Sequence, residues 1–398
     1  MTSDVNIDIK SLTRDELSAR LVEWREPHYR LDQLLNWLYA NRVRTWDAMS
    51  NLPKKLRQRL AESFMLHTLE LAALQGSDDA TRKFLWRLRD HAFIESVLIP
   101  ANPALYGDAS DRHTLCISTQ VGCAYGCGFC ASGLDGWKRN LTPDEIVEQV
   151  LAVERWHGEE TNKARIKAMP PAAILAPAPT PNPGPKVEVR PPVPVAPRLI
   201  NNVVVMGMGE PLANYENLLK ALQILNAPWG GHIGARKITV STSGLAPEIR
   251  KLADEPMQLR LAVSLHGATD EIRNRLMPVN RKYPLAELVA ACEYYQAHKG
   301  RMITFEYILI AGVNDHTDHA RPLAELSERL NAKINLIPYN HVEGLAWQRP
   351  SDEAQEAFLA ELTRLGTKAT LRREKGHDID AACGQLRLRT ERELATAA

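Results

Sequence analysis

HTLCISTQVGCAYGCGFCASG, residues 113–133, joins a β-rich run to a loop that holds three of the chain's six cysteines. Cys123, Cys127 and Cys130 form a C-x3-C-x2-C array just beyond the strand run HTLCIST. Three thiolates on one short loop can hold three irons of a [4Fe-4S] cluster and leave the fourth iron without a protein ligand. A structural zinc site with Cys116 as fourth ligand is the competing reading, since zinc also favours four thiolates. Cys116 lies seven residues before Cys123, inside the strand run, whereas zinc cysteines usually come in closely spaced pairs. Thiols crowded in this way point to metal or redox chemistry rather than a disulfide framework.

Working outward from the loop, short β-rich runs alternate with amphipathic helical ones. After HTLCIST come VVVM from 203, KITVST from 237, LRLAVSL from 259, MITFEYILI from 302, KINLIP from 333 and KATLR from 368. Thr142-Pro143 with Glu145 opens the first intervening helix in capping-box spacing. Repeated βα units imply a parallel sheet. Six such units before a last strand predict an α/β fold built on a partial (βα)6 barrel, with a doubly wound open sheet as the alternative. Between Pro170 and Pro197 the rhythm breaks: 11 of the 25 prolines fall there, mixed with Ala and Val. That composition reads as a polyproline-like surface insertion.

Upstream, Phe84, Trp86 and Leu88 alternate with Leu85 and Arg87, and Asp90-His91 separates them from IESVLIP, which predicts a β-hairpin. Residues 11–64 read as a small helical unit. Thr13 with Glu16 makes a capping box ahead of Leu17, Leu21 and Trp24, and a second helical face carries Leu31, Leu34, Leu35 and Leu38. Leu52-Pro53 opens a basic helix bearing Lys54, Lys55, Arg57 and Arg59, a run that is either a solvated face or a phosphate-binding one.

The 398 residues are 44% hydrophobic and 24% charged, ordinary values for a globular chain. With 49 basic against 48 acidic residues, any attraction to nucleic acid must be local. No stretch reaches the length of a membrane span, and MTSDVNIDIK lacks the features of a secretory signal. A cytoplasmic protein without membrane contact is expected.

The cysteine array resembles the signature of the radical S-adenosylmethionine superfamily, whose open iron is chelated by that cofactor. VVVMGMGEPLANYENL, KITVSTSGLAP, AVSLHG, INLIPYN and GHDIDAACGQL, in that order, are similar to motifs of the bacterial RNA methyltransferases that methylate C2 of adenosine in 23S ribosomal RNA and in transfer RNA. The resemblance covers nearly the whole chain except the proline-rich insertion. It implies that Cys123, Cys127 and Cys130 hold the cluster. It also implies that Gly209, Glu210, Ser241, Ser264, Leu265, His266 and Asn340 bind S-adenosyl-L-methionine. Read from the residues alone, Gly207 and Gly209 permit close backbone approach to a ligand, and Glu210 offers a carboxylate to an ammonium group. These positions end strands, the face on which parallel barrels bind ligands.

The same resemblance makes Cys383 a methyl carrier, Cys116 the second catalytic cysteine and Glu95 the proton acceptor. Cys292, in ELVAACEYYQ, matches no such role and reads as core. C2 of adenine lies between two ring nitrogens and is too electron-poor to attack a sulfonium methyl, so a radical route is required. As the family implies, one S-adenosylmethionine methylates Cys383 and a second is cleaved reductively to a 5'-deoxyadenosyl radical, which takes a hydrogen from that methyl. The methylene radical adds to C2, Glu95 helps remove the proton, and Cys116 attacks the sulfur of Cys383, releasing product as a disulfide forms. Two S-adenosylmethionines per turnover and a reducing electron donor such as flavodoxin follow, with 23S ribosomal RNA and tRNA as partners of a monomer. The organisation expected is a helical RNA-docking domain over 1–75, a hairpin linker over 76–110 and a radical SAM barrel over 111–375 with its insertion at 160–198. Residues 376–398 form a C-terminal segment carrying the methyl-bearing cysteine. A relative that methylates C8 of the same ribosomal adenosine is the nearest rival reading, and a non-catalytic, zinc-stabilised RNA-binding protein is the rival from another class.

Overall fold

The computed structural model describes residues 7–77, 80–101, 110–168, 198–372 and 384–397. Cys383 and the stretch from Pro170 to Pro197 lie outside them.

Ten strands form one sheet. β1 (Glu70–Gly76), β2 (Arg82–Arg87) and β3 (Phe93–Pro100) run antiparallel, and β3 pairs antiparallel with β4 (His113–Cys116). The short pair β5 (Gln120–Gly122) and β6 (Trp137–Asn140) closes the cysteine loop outside this sheet. From β4 onward every neighbour is parallel: β7 (Asn202–Val205), β8 (Ile238–Thr242), β9 (Arg260–Ser264), β10 (Thr304–Leu309), β11 (Lys333–Pro338) and β12 (Ala369–Leu371). Strand order follows chain order without reversal. A doubly wound sheet reverses at a switch point, so the arrangement is the partial barrel. The seven parallel-sheet strands coincide with the seven runs read from sequence.

The hairpin extends the barrel sheet itself rather than linking two units, and β1, unforeseen in the sequence, adds an edge. Helix Pro143–Ala168 packs on one face of the antiparallel strands. On that side Phe84 meets Trp156 edge-on at 5.0 Å, and Ser96 Oγ donates to Gln149 Oε1 at 2.9 Å. Register places Lys83, Glu95 and Cys116 on the opposite face, where the C-terminal helix Gln385–Ala397 meets Glu95.

The N-terminal unit is docked on helix Pro143–Ala168 by a buried polar seam. Lys10 Nζ meets Glu148 Oε2 at 2.6 Å with both side chains buried, Ser11 Oγ donates to Asp144 at 2.6 Å, and Arg42 pairs with Glu154 at 3.2 Å. The Thr13–Glu16 capping box is formed, and the leucine face of the second helix widens into a π-helical turn over Asn36–Ala40. No helix among the described residues is long and apolar enough to cross a membrane.

Candidate active site

The cysteine loop lies between β5 and β6, closed at its base by Cys123 N–H donating to the Gly136 carbonyl at 3.2 Å. Burial pushes the Cys123 thiol up to about 12 and Cys127 well above its ordinary value, and the neighbouring thiols push further in the same direction. Three thiols crowded on one short loop can ionise together around a cluster of cationic irons, so the donor set fits one. Tyr125 N–H already donates to Cys123 Sγ at 3.4 Å, the kind of bond that tunes a cluster's potential. Among the described residues no three of His, Cys, Asp and Glu converge on a single metal ion. Nor do the described cysteines form a disulfide with one another.

Beside the loop, the turn after β7 carries Gly209 at φ +100°. A Cβ there would fall 2.6 Å from Gln120 Cβ, so only glycine lets the turn pack on β5. Glu210 follows, buried, its two oxygens accepting N–H bonds from Leu212 at 3.0 Å and Ser243 at 2.7 Å. Burial raises its pKa against those donors, and its charge reaches Cys123 and Cys127. At the ends of β8 and β9, Ser241 Oγ stands 3.4 Å from Ser264 Oγ. His266 adopts φ +54°, a strained backbone for a histidine, held by Asn314 Nδ2 donating to its carbonyl at 2.8 Å. Its Nδ1 accepts the Ile308 N–H at 3.0 Å, and burial lowers its pKa to about 3, so the ring is neutral with its proton on Nε2. Phe129, from the cysteine loop, meets that ring edge-on at 4.9 Å. Leu265 is buried beside it, and Asn340 lies two residues beyond β11, bonded by Arg349 at 3.4 Å.

Two residues of this face had no signal in the sequence. Arg273, wholly buried, donates to the carbonyls of Ser243, Ser264 and Leu265 and to Asn280 Oδ1, and so ties the loops after β8 and β9 together. Glu306 on β10 is buried with Asn335 Nδ2 at 3.0 Å, and sits level with Ser264 in the sheet register.

On the other flank, Cys116 is buried opposite Val97, one pleat from Glu95 on the same sheet face. Glu95 is only 2% exposed and is held by three polar contacts. Oε2 meets Lys83 Nζ at 3.0 Å and accepts Gly384 N–H at 2.8 Å, while Oε1 accepts Arg387 N–H at 2.7 Å. It therefore caps the C-terminal helix Gln385–Ala397. Gly384, which follows Cys383 in the chain, has φ +90°, and a Cβ on it would stand 2.9 Å from Ser132 N and Oγ. Arg387 reaches Asp135 at 3.3 Å, and Lys138 reaches Glu391 at 3.4 Å. The helix after Cys383 is thus fastened to both β3 and the cysteine loop. Cys292 is buried in helix Leu285–Lys299, as its core reading expects.

Comparison with known proteins covers the same regions. Residues 7–66 match the ribosomal RNA large subunit methyltransferase N-terminal domain, and residues 192–321 match the radical SAM superfamily. The chain is 51% identical over 381 residues to a probable dual-specificity RNA methyltransferase RlmN 3 of Opitutus terrae, covering 96% of this chain and 94% of that one. It is 47% identical to a probable RlmN of Akkermansia muciniphila, with 97% and 96% covered. The crystal structure of a radical SAM methyltransferase from Sphaerobacter thermophilus superposes with a TM-score of 0.79 at 41% identity, covering 95% and 98% of the two chains.

Proposed function

The chain belongs to the RlmN family of radical SAM RNA methyltransferases, and from that premise we propose that it methylates C2 of adenosine in 23S ribosomal RNA and transfer RNA by way of a methylated Cys383. Family membership removes the reading of a non-catalytic zinc protein. When bound, the cluster and S-adenosylmethionine supply both the methyl group and the radical that activates it. Cys123, Cys127 and Cys130 hold the cluster, while Gly209, Glu210, Ser241, Ser264, Leu265, His266 and Asn340 bind the cofactor. Cys383 carries the methyl carbon to the base, Glu95 takes the C2 proton, and Cys116 attacks the sulfur of Cys383 so that the product leaves as a disulfide forms. Two cofactor molecules serve each turnover, and the enzyme works as a cytoplasmic monomer.

The observation that supports this reading best is the anchoring of Gly384. The residue beside the carrier cysteine is bonded to Glu95 and packed on Ser132, two positions from Cys130. Neutralising Glu95 by a proton weakens the charge-assisted bonds it accepts from Lys83, Gly384 and Arg387. The test is nucleoside analysis of RNA treated with the holoenzyme. 2-Methyladenosine is expected, whereas 8-methyladenosine would establish the rival chemistry and unmodified adenosine would refute both.

A further inference from the structure

Cleaving a sulfonium C–S bond into a neutral thioether and a neutral radical consumes one electron, and S-adenosylmethionine does not provide it. The inference below rests on the function proposed above, because that electron has to reach the centre held by Cys123, Cys127 and Cys130 from outside. Electron transfer weakens steeply with distance, so the donor must dock beside the cysteine loop.

That loop has two different sides. Ser132 and Asp135 meet Gly384 and Arg387, on the side of Glu95 and the C-terminal helix. Gly128, between Cys127 and Cys130, is held by other elements: its N–H donates to the Leu276 carbonyl at 2.9 Å, and its own carbonyl accepts Trp347 Nε1–H at 2.6 Å. The Arg275 guanidinium lies 5.3 Å from the centre of the Trp347 ring. A little further along the chain, Lys282 lies over Tyr283 at 5.1 Å, and the Tyr283 phenol is within electrostatic reach of Tyr125 in the cysteine loop. Arg275, Arg281 and Lys282 are exposed, and none has an ion-pair partner among the described residues. In a chain of formal net charge +1, three such cations beside one loop are a local excess.

We propose that the face formed by Arg275, Arg281, Lys282 and Trp347 docks an acidic protein that donates single electrons. The cations steer and orient a negatively charged partner, and Trp347 provides the contact between that partner and the backbone of the cysteine loop. In the step served, the donor is oxidised by one electron and the iron–sulfur centre is reduced by one. No bond is made or broken at this surface. RNA phosphates would suit the same charges, but the base must enter on the opposite side of the loop, toward Cys116.

The holoenzyme carrying Arg275→Glu, Arg281→Glu and Lys282→Glu tests this against an acidic flavodoxin as probe. Binding of flavodoxin should weaken by about tenfold or more, with a shallower salt dependence. S-adenosylmethionine cleavage driven by reduced flavodoxin should fall with it, while cleavage driven by dithionite and the affinity for RNA stay unchanged. Unaltered flavodoxin binding overturns the proposal, as does a loss confined to RNA affinity, which would make the face an RNA contact. Should the triple variant lose iron, Arg281→Ala with Lys282→Ala decides the matter by the same binding measurement. Failure of the unaltered enzyme to cleave the cofactor with dithionite would instead refute the function proposed above.

Discussion

Glu95 and Lys83 form an ion pair in which both side chains are almost wholly shielded from water. Removing one partner of such a pair leaves a buried charge uncompensated, which costs about 3–5 kcal/mol. Lys83→Met should therefore destabilise the protein by about that much in urea unfolding, and adding Glu95→Gln should recover part of it; an unchanged midpoint would mean water reaches the pair. His266 supplies a pH dependence. Its folded pKa, lowered by burial to about 3, lies below the ordinary 6.5, so on acidification the unfolded chain takes up a proton that the folded chain refuses. Stability from this group is present above pH 6.5 and is lost as pH falls toward 3, by up to about 1.4 kcal/mol per pH unit. His266→Gln, which keeps an acceptor for the Ile308 N–H, should flatten that part of the stability profile. An identical slope in the two proteins would assign the acid sensitivity to other groups.

The basic helix Lys54–Ser63 divides its charges between two tasks. Arg57 is spent on Asp47, at 3.4 Å and through its carbonyl at 2.8 Å, and Arg59 lies over the Trp24 ring at 4.5 Å. Lys54 and Lys55 are exposed to solvent, and we propose that they contact RNA phosphates. Lys54→Glu with Lys55→Glu should weaken RNA binding and reduce its salt slope by about two ions, whereas Arg57→Ala should act on stability. Equal RNA affinity in the double variant would return the run to a solvated face. The parallel strands were readable because strands buried on both faces are nearly continuous apolar runs, as in VVVM and LRLAVSL. β1, ELAALQG, was not: an edge strand with one wet face needs few β-branched residues, and it has none. At the site, the loop cysteines and the strand-end residues were legible from local spacing and motif. Arg273 in DEIRNRL looks like any solvated helix charge, because the carbonyls that bury it come from two distant loops. Likewise the bonds of Glu95 to Gly384 and Arg387 join segments at opposite ends of the chain, a pairing that no local pattern encodes. The Pro170–Pro197 stretch follows the first barrel helix. Its far end is fixed by Glu154, which accepts N–H bonds from Leu199 at 3.2 Å and Ile200 at 2.8 Å. A short Gly/Ser bridge in its place should leave turnover within about a fewfold, since the composition cannot bury a core. Loss of cluster or fold would show that the segment packs on the barrel.

Across the whole molecule, one sheet connects the parts. The N-terminal unit is clamped to the first barrel helix through Lys10, Ser11 and Arg42, and the antiparallel extension holds Glu95 beneath the C-terminal helix. The cysteine loop lies between the strand ends that carry Ser241, Ser264 and His266 and the helix that follows Cys383. Such an arrangement suits a reaction in which one carbon passes from cofactor to protein to RNA, and the carrier's release depends on Cys116. The most direct test is the mass of the Cys383 peptide from Cys116→Ala enzyme expressed in cells and treated with nuclease. An adenosine nucleotide joined to Cys383 through a methylene bridge is the result expected, because addition to C2 proceeds and no thiolate is placed to break the sulfide. A Cys383 free of nucleotide in enzyme that still methylates RNA would contradict it.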